Sequence, residues 1–287
     1  MHLGNARSAL LGWLHARANG GEFHLRIEDL DRERCRPHFV DALKADLEWL
    51  GLDWDGPVLK QSEREVQYRE ALGVLAAKGL TFFCTCSRAD LLRAASAPHE
   101  GEEGPIYPGT CREGPTKPRH PASVRFRARA GPTSFVDLIK GPYTQDVAQA
   151  VGDFVVRRAD GVASYQLAVV VDDAATHISY VLRGDDLLSS TPRQLQLYAA
   201  LDLRPPVFAH VPLLLDESGK RMAKRDGSST VAFFRERGDD PRRLVGLLAR
   251  WSGLHDGAPI AARDLVQGFT LDRVLGEPAV VRETLFP

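Results

Sequence analysis

The sequence predicts an α/β protein, and three observations predict it. Segments with strand-like alternation and segments with helical spacing take turns over the first eighty residues. A cysteine-bearing stretch rich in proline and glycine then interrupts them, and a helix-patterned segment lies near the end. At 287 residues and 44% hydrophobic, the chain can bury a large core as one big domain or two.

The elements follow in order. Residues 5–19 read as a helix, with Ala6, Leu10, Trp13, Leu14 and Ala16 on or near one face and Asn19-Gly20-Gly21 ending it. Phe23, Leu25 and Ile27 alternate with polar residues as a strand that delivers Arg26, Glu28 and Asp29 at its end. A second helix starts near Pro37, carries Phe39, Val40, Leu43, Leu47 and Leu50 toward a core, and stops at Gly51. Ser62 and Glu65 form a capping box for a third helix, closed by Gly79.

Further on, Ser123–Arg127 and Ser134–Asp137 read as strands, and Phe154–Tyr165 as a hairpin around Asp160-Gly161. Tyr165–Val171 is apolar, and Ile178–Leu182 is a short buried strand handing off to Arg183-Gly184-Asp185-Asp186. Thr191-Pro192 starts a helix by cap and first-turn rules, and His210–Leu215 is another apolar strand. Asp240-Pro241 opens a late helix running to about Trp251. In α/β sheets ligands sit beyond the carboxyl ends of the strands, which is where Glu28 and the start of the first helix both fall.

Composition excludes some functions and leaves others open. The formal net charge is −1, so no global basic surplus advertises nucleic acid. Local patches set such a footprint, however. Arg235, Arg237, Arg242, Arg243 and Arg250 form a C-terminal basic cluster that reads equally as such a patch or as the solvated face of two helices. No run of 18 apolar residues and no signal-peptide pattern is present. Three of the four cysteines are grouped at metal-ligand spacing, which disfavours a disulfide scaffold; a cytoplasmic enzyme without membrane attachment is expected.

Those three are Cys84 and Cys86, one residue apart, and Cys111. Three thiolates suit Zn²⁺, and a closed four-ligand site is structural rather than catalytic. It would pin the stretch from Cys84 to about Pro121, which has little apolar periodicity after Leu92. Tyr107, His99 and His120 all lie within range of the fourth position, and spacing leaves the choice open. Cys35 stands apart as an unpaired thiol.

Two short motifs bracket the chain: His2-Leu3-Gly4-Asn5 at the first helix start, and Lys220-Arg221-Met222-Ala223-Lys224-Arg225-Asp226-Gly227. They resemble the HIGH motif and the KMSKS loop of class I aminoacyl-tRNA synthetases. With LRIEDLDRER, SYQLAVVVDD and VLRGDDLLSSTPRQ between them in family order, the chain resembles the glutamyl branch along nearly its whole length. The resemblance implies a Rossmann-like parallel-sheet catalytic domain with a zinc-binding insertion and a short helical C-terminal part. It implies boundaries at 1–83 and 122–215 for the catalytic body, 84–121 for the insertion, and 216–287 for the KMSKS loop and helical segment.

It also implies roles. Glu28 meets the α-ammonium of L-glutamate, Tyr165 offers its hydroxyl, and Arg183 forks onto the side-chain carboxylate. Arg183 could instead pair with Asp185 or Asp186, which the residues alone leave open. His2 and Asn5 contact ATP, carried with Mg²⁺, from one side, and Lys224 holds its phosphates from the other. Arg221 stands at the first lysine of the five-residue KMSKS motif and preserves its charge, while Ala223 replaces the usual serine and loses a hydroxyl donor. The Cys-x-Cys and Tyr-x-x-x-Cys pattern of the short members of the branch makes Tyr107 the fourth zinc ligand.

Only about sixty residues follow Arg225, too few for the helical anticodon-binding domain of a full synthetase. That outline resembles the truncated family that activates glutamate without tRNA and transfers it to the queuosine base in the anticodon of tRNA(Asp). Members of the branch carry an R-F-A-P-S-P-T-G-like strand and loop before the HIGH motif. The chain opens at Met1-His2, so the reading expects that strand upstream of residue 1.

Overall fold

Two strand–helix–strand crossovers organise the computed structural model, which describes residues 1–31, 35–94, 105–222 and 229–281. Before the first crossover comes α1 (Leu3–Ala18), capped by the His2 side chain, which accepts from the Gly4 amide. Leu3, Leu10, Leu11 and Leu14 of α1 are fully buried. The first crossover is β1 (Arg26–Ile27), α2 (Pro37–Trp49) and β2 (Leu59–Lys60), with the two strands parallel. The strand expected from Phe23 is reduced to its last two residues, because the Phe23 amide donates to the Asp55 carboxylate instead.

Along α2 the predicted apolar stripe reaches the core only from Leu43 onward, and Phe39, one turn earlier, is 55% exposed. Gly51 ends the helix at φ +76°, a conformation that glycine adopts at no steric cost. The next helix, α3 (Glu65–Ala77), lacks the expected capping box. Ser62 sits in a short 3₁₀ turn and gives its amide and hydroxyl to the two oxygens of Asp29, at 2.8 and 2.6 Å. Bonds to an ionised carboxylate are the stronger choice for that hydroxyl.

The middle of the chain is antiparallel. β3 (Thr81–Cys84) is followed by α4 (Arg88–Ala94), and it pairs with β4 (Ser123–Phe126). A hairpin of β5 (Pro132–Asp137) and β6 (Gly141–Asp146) follows, then α5 (Val147–Ala150), then β7 (Phe154–Arg157), which pairs with β4. The Asp160-Gly161 turn forms, but the expected returning strand is a single bridge from Arg157 to Ala163. The Ser164 hydroxyl accepts from the Leu167 amide and starts α6 (Tyr165–Ala175) in its place.

The second crossover is β8 (Tyr180–Gly184), a 3₁₀ turn, α7 (Thr191–Ala200) and β9 (Val207–Val211), again with parallel strands. Thr191 is not the cap of α7; Ser190 holds that place without a side-chain bond. β10 (Leu214–Leu215), α8 (Val231–Glu236), α9 (Pro241–Trp251) and β11 (Ala279–Val280) complete the described elements. Asp240 caps α9 as expected, and β10 runs parallel to β11. Parallel pairing among the described residues is thus divided into three two-stranded ladders. Among them no helix is long and apolar enough to cross a membrane.

Side chains alternate across β8 and β9, and the two faces of the pair serve different cores. Leu182, Ala209 and Val211 pack with α1, α2 and α9, around Leu10, Leu47 and Leu248. Val181 and Phe208 pack with α3, α6 and α7, around Leu75, Leu167 and Leu197. Arg183 and His210 share that second face, next along each strand. Removing the Leu10 side chain by Leu10→Ala should cost about 2–5 kcal/mol. Urea unfolding monitored by circular dichroism checks this; a loss below about 1 kcal/mol would contradict the packing described.

Candidate active site

The parallel register sets Arg183 directly opposite His210. From the end of β8 the guanidinium donates through Nε to His210 Nε2 at 3.1 Å and through Nη1 to the Tyr165 hydroxyl at 3.2 Å. Nη2 donates to Thr191 Oγ1 at 2.9 Å and Gln194 Oε1 at 2.8 Å, with the Leu187 carbonyl at 3.4 Å. Every one of these acceptors is neutral. The ion pairs open to Arg183 from the sequence are taken by other cations: Asp185 faces Lys140 at 3.3 Å and Asp186 faces Arg221 at 2.8 Å. A half-buried cation bonded only to neutral groups favours an anion from outside.

Behind it, His210 is fully buried and Asp137 nearly so. His210 Nδ1 lies 2.6 Å from Asp137 Oδ2, while Asp137 Oδ1 accepts the amides of His210, Ile139 and Lys140. Burial lowers the imidazole below its ordinary 6.5 despite the carboxylate. Burial pushes the Asp137 carboxyl up, but the bonds from His210 and the backbone outweigh it and hold it low. A neutral ring on a carboxylate results. Neither residue was singled out in the sequence, where His210 is one polar letter in an apolar strand.

Glu28 and Tyr165 come from separate elements. Glu28 follows β1 and accepts from Arg26 Nη2 at 3.0 Å, and Arg26 also pairs with the buried Asp173 of α6. Tyr165 opens α6, and burial holds its hydroxyl protonated. Arg183, Glu28 and Arg26 are all close enough to act on it electrostatically, so the structure brings Glu28, Tyr165 and Arg183 together. The neighbouring Asp29 lines a cavity of about 210 Å³ with Ser62, Tyr68 and Ala163.

At the N-terminus of α1, His2 bridges Thr230, the Leu3 amide donates to the Ser229 carbonyl, and the Val231 amide donates to Met1. Asn5 is exposed in the first turn. Lys224 and Ala223 lie outside the described residues. On the preceding side, Arg221 bridges Leu215 and pairs with Asp186, and the Met222 amide donates to Leu214. The basic cluster is largely paired within the chain: Arg235 with Asp46, Arg237 and Arg243 with Asp239, Arg242 with Asp240.

The cysteines converge. The Sγ atoms of Cys84, Cys86 and Cys111 lie within 4.8 Å of one another, and all are free thiols. Tyr107 brings its hydroxyl to 3.5 Å from Cys84 Sγ and accepts the Cys111 amide at 2.8 Å. Gly152, at φ +75°, lets the chain pass here, since a Cβ would come 2.6 Å from the Tyr107 carbonyl. Burial raises the Cys111 thiol, but bonds from the Thr116 and Thr85 amides outweigh it and draw it down to about 6. Burial and the bond to Cys111 push Cys86 up to about 12. His120 is exposed, and His99 lies outside the described residues.

Residues 1–283 match the family described as tRNA synthetases class I (E and Q), catalytic domain. A Symbiobacterium thermophilum protein named glutamyl-Q tRNA(Asp) synthetase is 51% identical, covering 97% of this chain and 91% of its own. A Geobacter sulfurreducens glutamate–tRNA ligase is 43% identical over 96% of this chain, which spans only 59% of that ligase. The crystal structure of a glutamate–tRNA ligase from Elizabethkingia meningosepticum, in complex with its amino acid, superposes with a TM-score of 0.83 at 26% identity. It covers 98% of this chain, which spans 64% of it.

Because His210 binds a proton near pH 6.5 when unfolded and only at lower pH when folded, the unfolded state holds more protons below 6.5. Its contribution to stability is therefore present above that pH and is lost as pH falls, by up to ~1.4 kcal/mol per pH unit until the folded imidazole also titrates. Thermal melts between pH 7 and 5 should show the decline, and His210→Gln should flatten it. His15, also held low by burial, supplies a residual slope.

Proposed function

The chain belongs to the class I aminoacyl-tRNA synthetases of the glutamate and glutamine type, within the glutamyl-Q tRNA(Asp) synthetase family, and from that premise we propose a two-step reaction. This ligase activates L-glutamate with ATP, without tRNA, and passes the glutamyl group to the queuosine base in the anticodon of tRNA(Asp). The observation that carries the glutamate half is Arg183, a half-buried guanidinium bonded only to neutral acceptors beside Tyr165 and Glu28. The queuosine half is supported by the relatives that bear that name over nearly the full length of both chains.

In the first step an oxygen of the α-carboxylate attacks the α-phosphorus of ATP, the new O–P bond forms, and pyrophosphate leaves with its Mg²⁺. Arg183 and Tyr165 take the side-chain carboxylate and Glu28 the α-ammonium, which fixes the attacking group. His2 and Asn5 face ATP from the start of α1, where the helix dipole favours phosphate oxygens. Lys224 meets the charge that develops on the phosphates from the KMSKS side. In the second step a hydroxyl of the cyclopentenediol ring attacks the activated carbonyl, its proton is lost, and AMP departs.

Cys84, Cys86, Cys111 and Tyr107 would hold a structural Zn²⁺. Three converging sulfurs with a phenolic oxygen suit it, and bound there it would cross-link the segment from residue 84 to 121. It has no part in either step.

Transfer of labelled glutamate tests the function, with queuosine-containing tRNA(Asp), the same tRNA lacking queuosine, and tRNA(Glu) as acceptors. Label on the first alone is expected. Label on tRNA(Glu) would point to an ordinary glutamyl-tRNA synthetase, and no label on any acceptor to a zinc-stabilised RNA-binding protein without catalysis. Arg183→Gln should raise KM for glutamate by about 10- to 150-fold while leaving KM for ATP near its original value, because a bond to a charged group contributes about 1.5–3 kcal/mol. Metal analysis should find one zinc per chain. Cys86→Ser should lower both the zinc content and the melting temperature.

A further inference from the structure

We propose that Asp137 and His210 are positioning residues that fix Arg183 so that it reads the substrate's side-chain carboxylate through Nη1 alone, with the Tyr165 hydroxyl as the second donor. The inference rests on the glutamate reading above and replaces the bidentate fork expected from the sequence.

Donor accounting carries it. A guanidinium has five N–H groups and no acceptor. The Nε hydrogen goes to His210, both Nη2 hydrogens go to Thr191 and Gln194, and one Nη1 hydrogen goes to Tyr165. One Nη1 hydrogen remains without an acceptor among the described residues. Neither edge of the guanidinium therefore offers the two parallel donors that a fork requires. Tyr165 already accepts from Arg183, so its own hydrogen is free to point at the ligand.

What holds this arrangement is the tautomer of His210. Arg183 can only donate, so Nε2 must carry a lone pair; the Asp137 carboxylate can only accept, so Nδ1 must carry the hydrogen. Thr191 agrees with this: its hydroxyl lies 3.3 Å from Nε2, donating there while accepting from Arg183. Gln194 is fixed in turn, because its amide nitrogen donates to Gln166, leaving its oxygen for Arg183. Asp137 cannot turn away, as three backbone amides hold its other oxygen.

A specificity follows. At the side-chain end Arg183 and Tyr165 present an N–H and an O–H, so the amide nitrogen of glutamine would face donors there, unpaired.

Asp137→Asn tests this with little change of shape. Oδ1 can still accept the three amides, but the new amide nitrogen donates to Nδ1 and forces the hydrogen onto Nε2, against the Nε–H of Arg183. An analogous carboxylate-to-amide change in a serine protease acts by imposing the wrong tautomer. Glutamate-dependent pyrophosphate exchange should show KM for glutamate raised about 10- to 100-fold, KM for ATP unchanged, and selectivity against glutamine reduced to a similar extent. Nitrogen-15 NMR of the histidines, with His210 identified by its absence in His210→Gln, should show Nδ1 protonated and Nε2 bare in the wild-type protein.

An Asp137→Asn protein with unaltered KM for glutamate, or a wild-type His210 protonated at Nε2, overturns the proposal alone. The NMR result decides even if the variant does not fold. Absence of glutamate-dependent exchange in the wild-type enzyme overturns the glutamate reading and this proposal with it.

Discussion

A guanidinium kept half-buried among neutral partners is the constraint on which the site depends. Left to itself, such a group would recruit a carboxylate from its own chain, and two lie two and three residues further on, Asp185 and Asp186. The fold spends Lys140 on Asp185 and Arg221 on Asp186. It then satisfies the geometry of Arg183 with an imidazole, two hydroxyls and an amide, none of which cancels its charge. Bonds without neutralisation make the side chain rigid and leave it an anion receptor. The Arg26–Glu28–Asp173 group beside it works on the opposite plan, with two carboxylates on one cation.

Much of this was legible in the sequence where the rule was local. Asp240 opens and caps the last long helix, Gly51 ends the second, and the three grouped cysteines converge as their spacing implied. Local rules failed where a charged partner from elsewhere made a stronger bond. Ser62 and Thr191 both stand where a helix cap is expected, and each hydroxyl is claimed by a charged group, Asp29 in one case and Arg183 in the other. The apolar run after Tyr165 had no decisive period, so the turn at Gly161 was readable while the helix that follows it was not.

The grouping of Glu28, Tyr165 and Arg183 was reachable only through family resemblance, because three separate elements supply them. His210 and Asp137 escaped even that. What makes His210 matter is a register between parallel strands joined by a crossover, with Asp137 reaching it from the end of β5, and composition carries no trace of either.

The strand pair that carries Arg183 and His210 is also a wall common to two cores. Val181 and Phe208 lean on one side of it, Leu182 and Ala209 on the other. A wall loaded from both sides has little freedom to shift, since close-packed interiors transmit displacement rather than absorb it. The two halves of the protein therefore cannot drift apart in sequence independently. A residue enlarged behind α1 presses on the same backbone that a residue trimmed behind α6 releases, and the fit of the pocket records the difference.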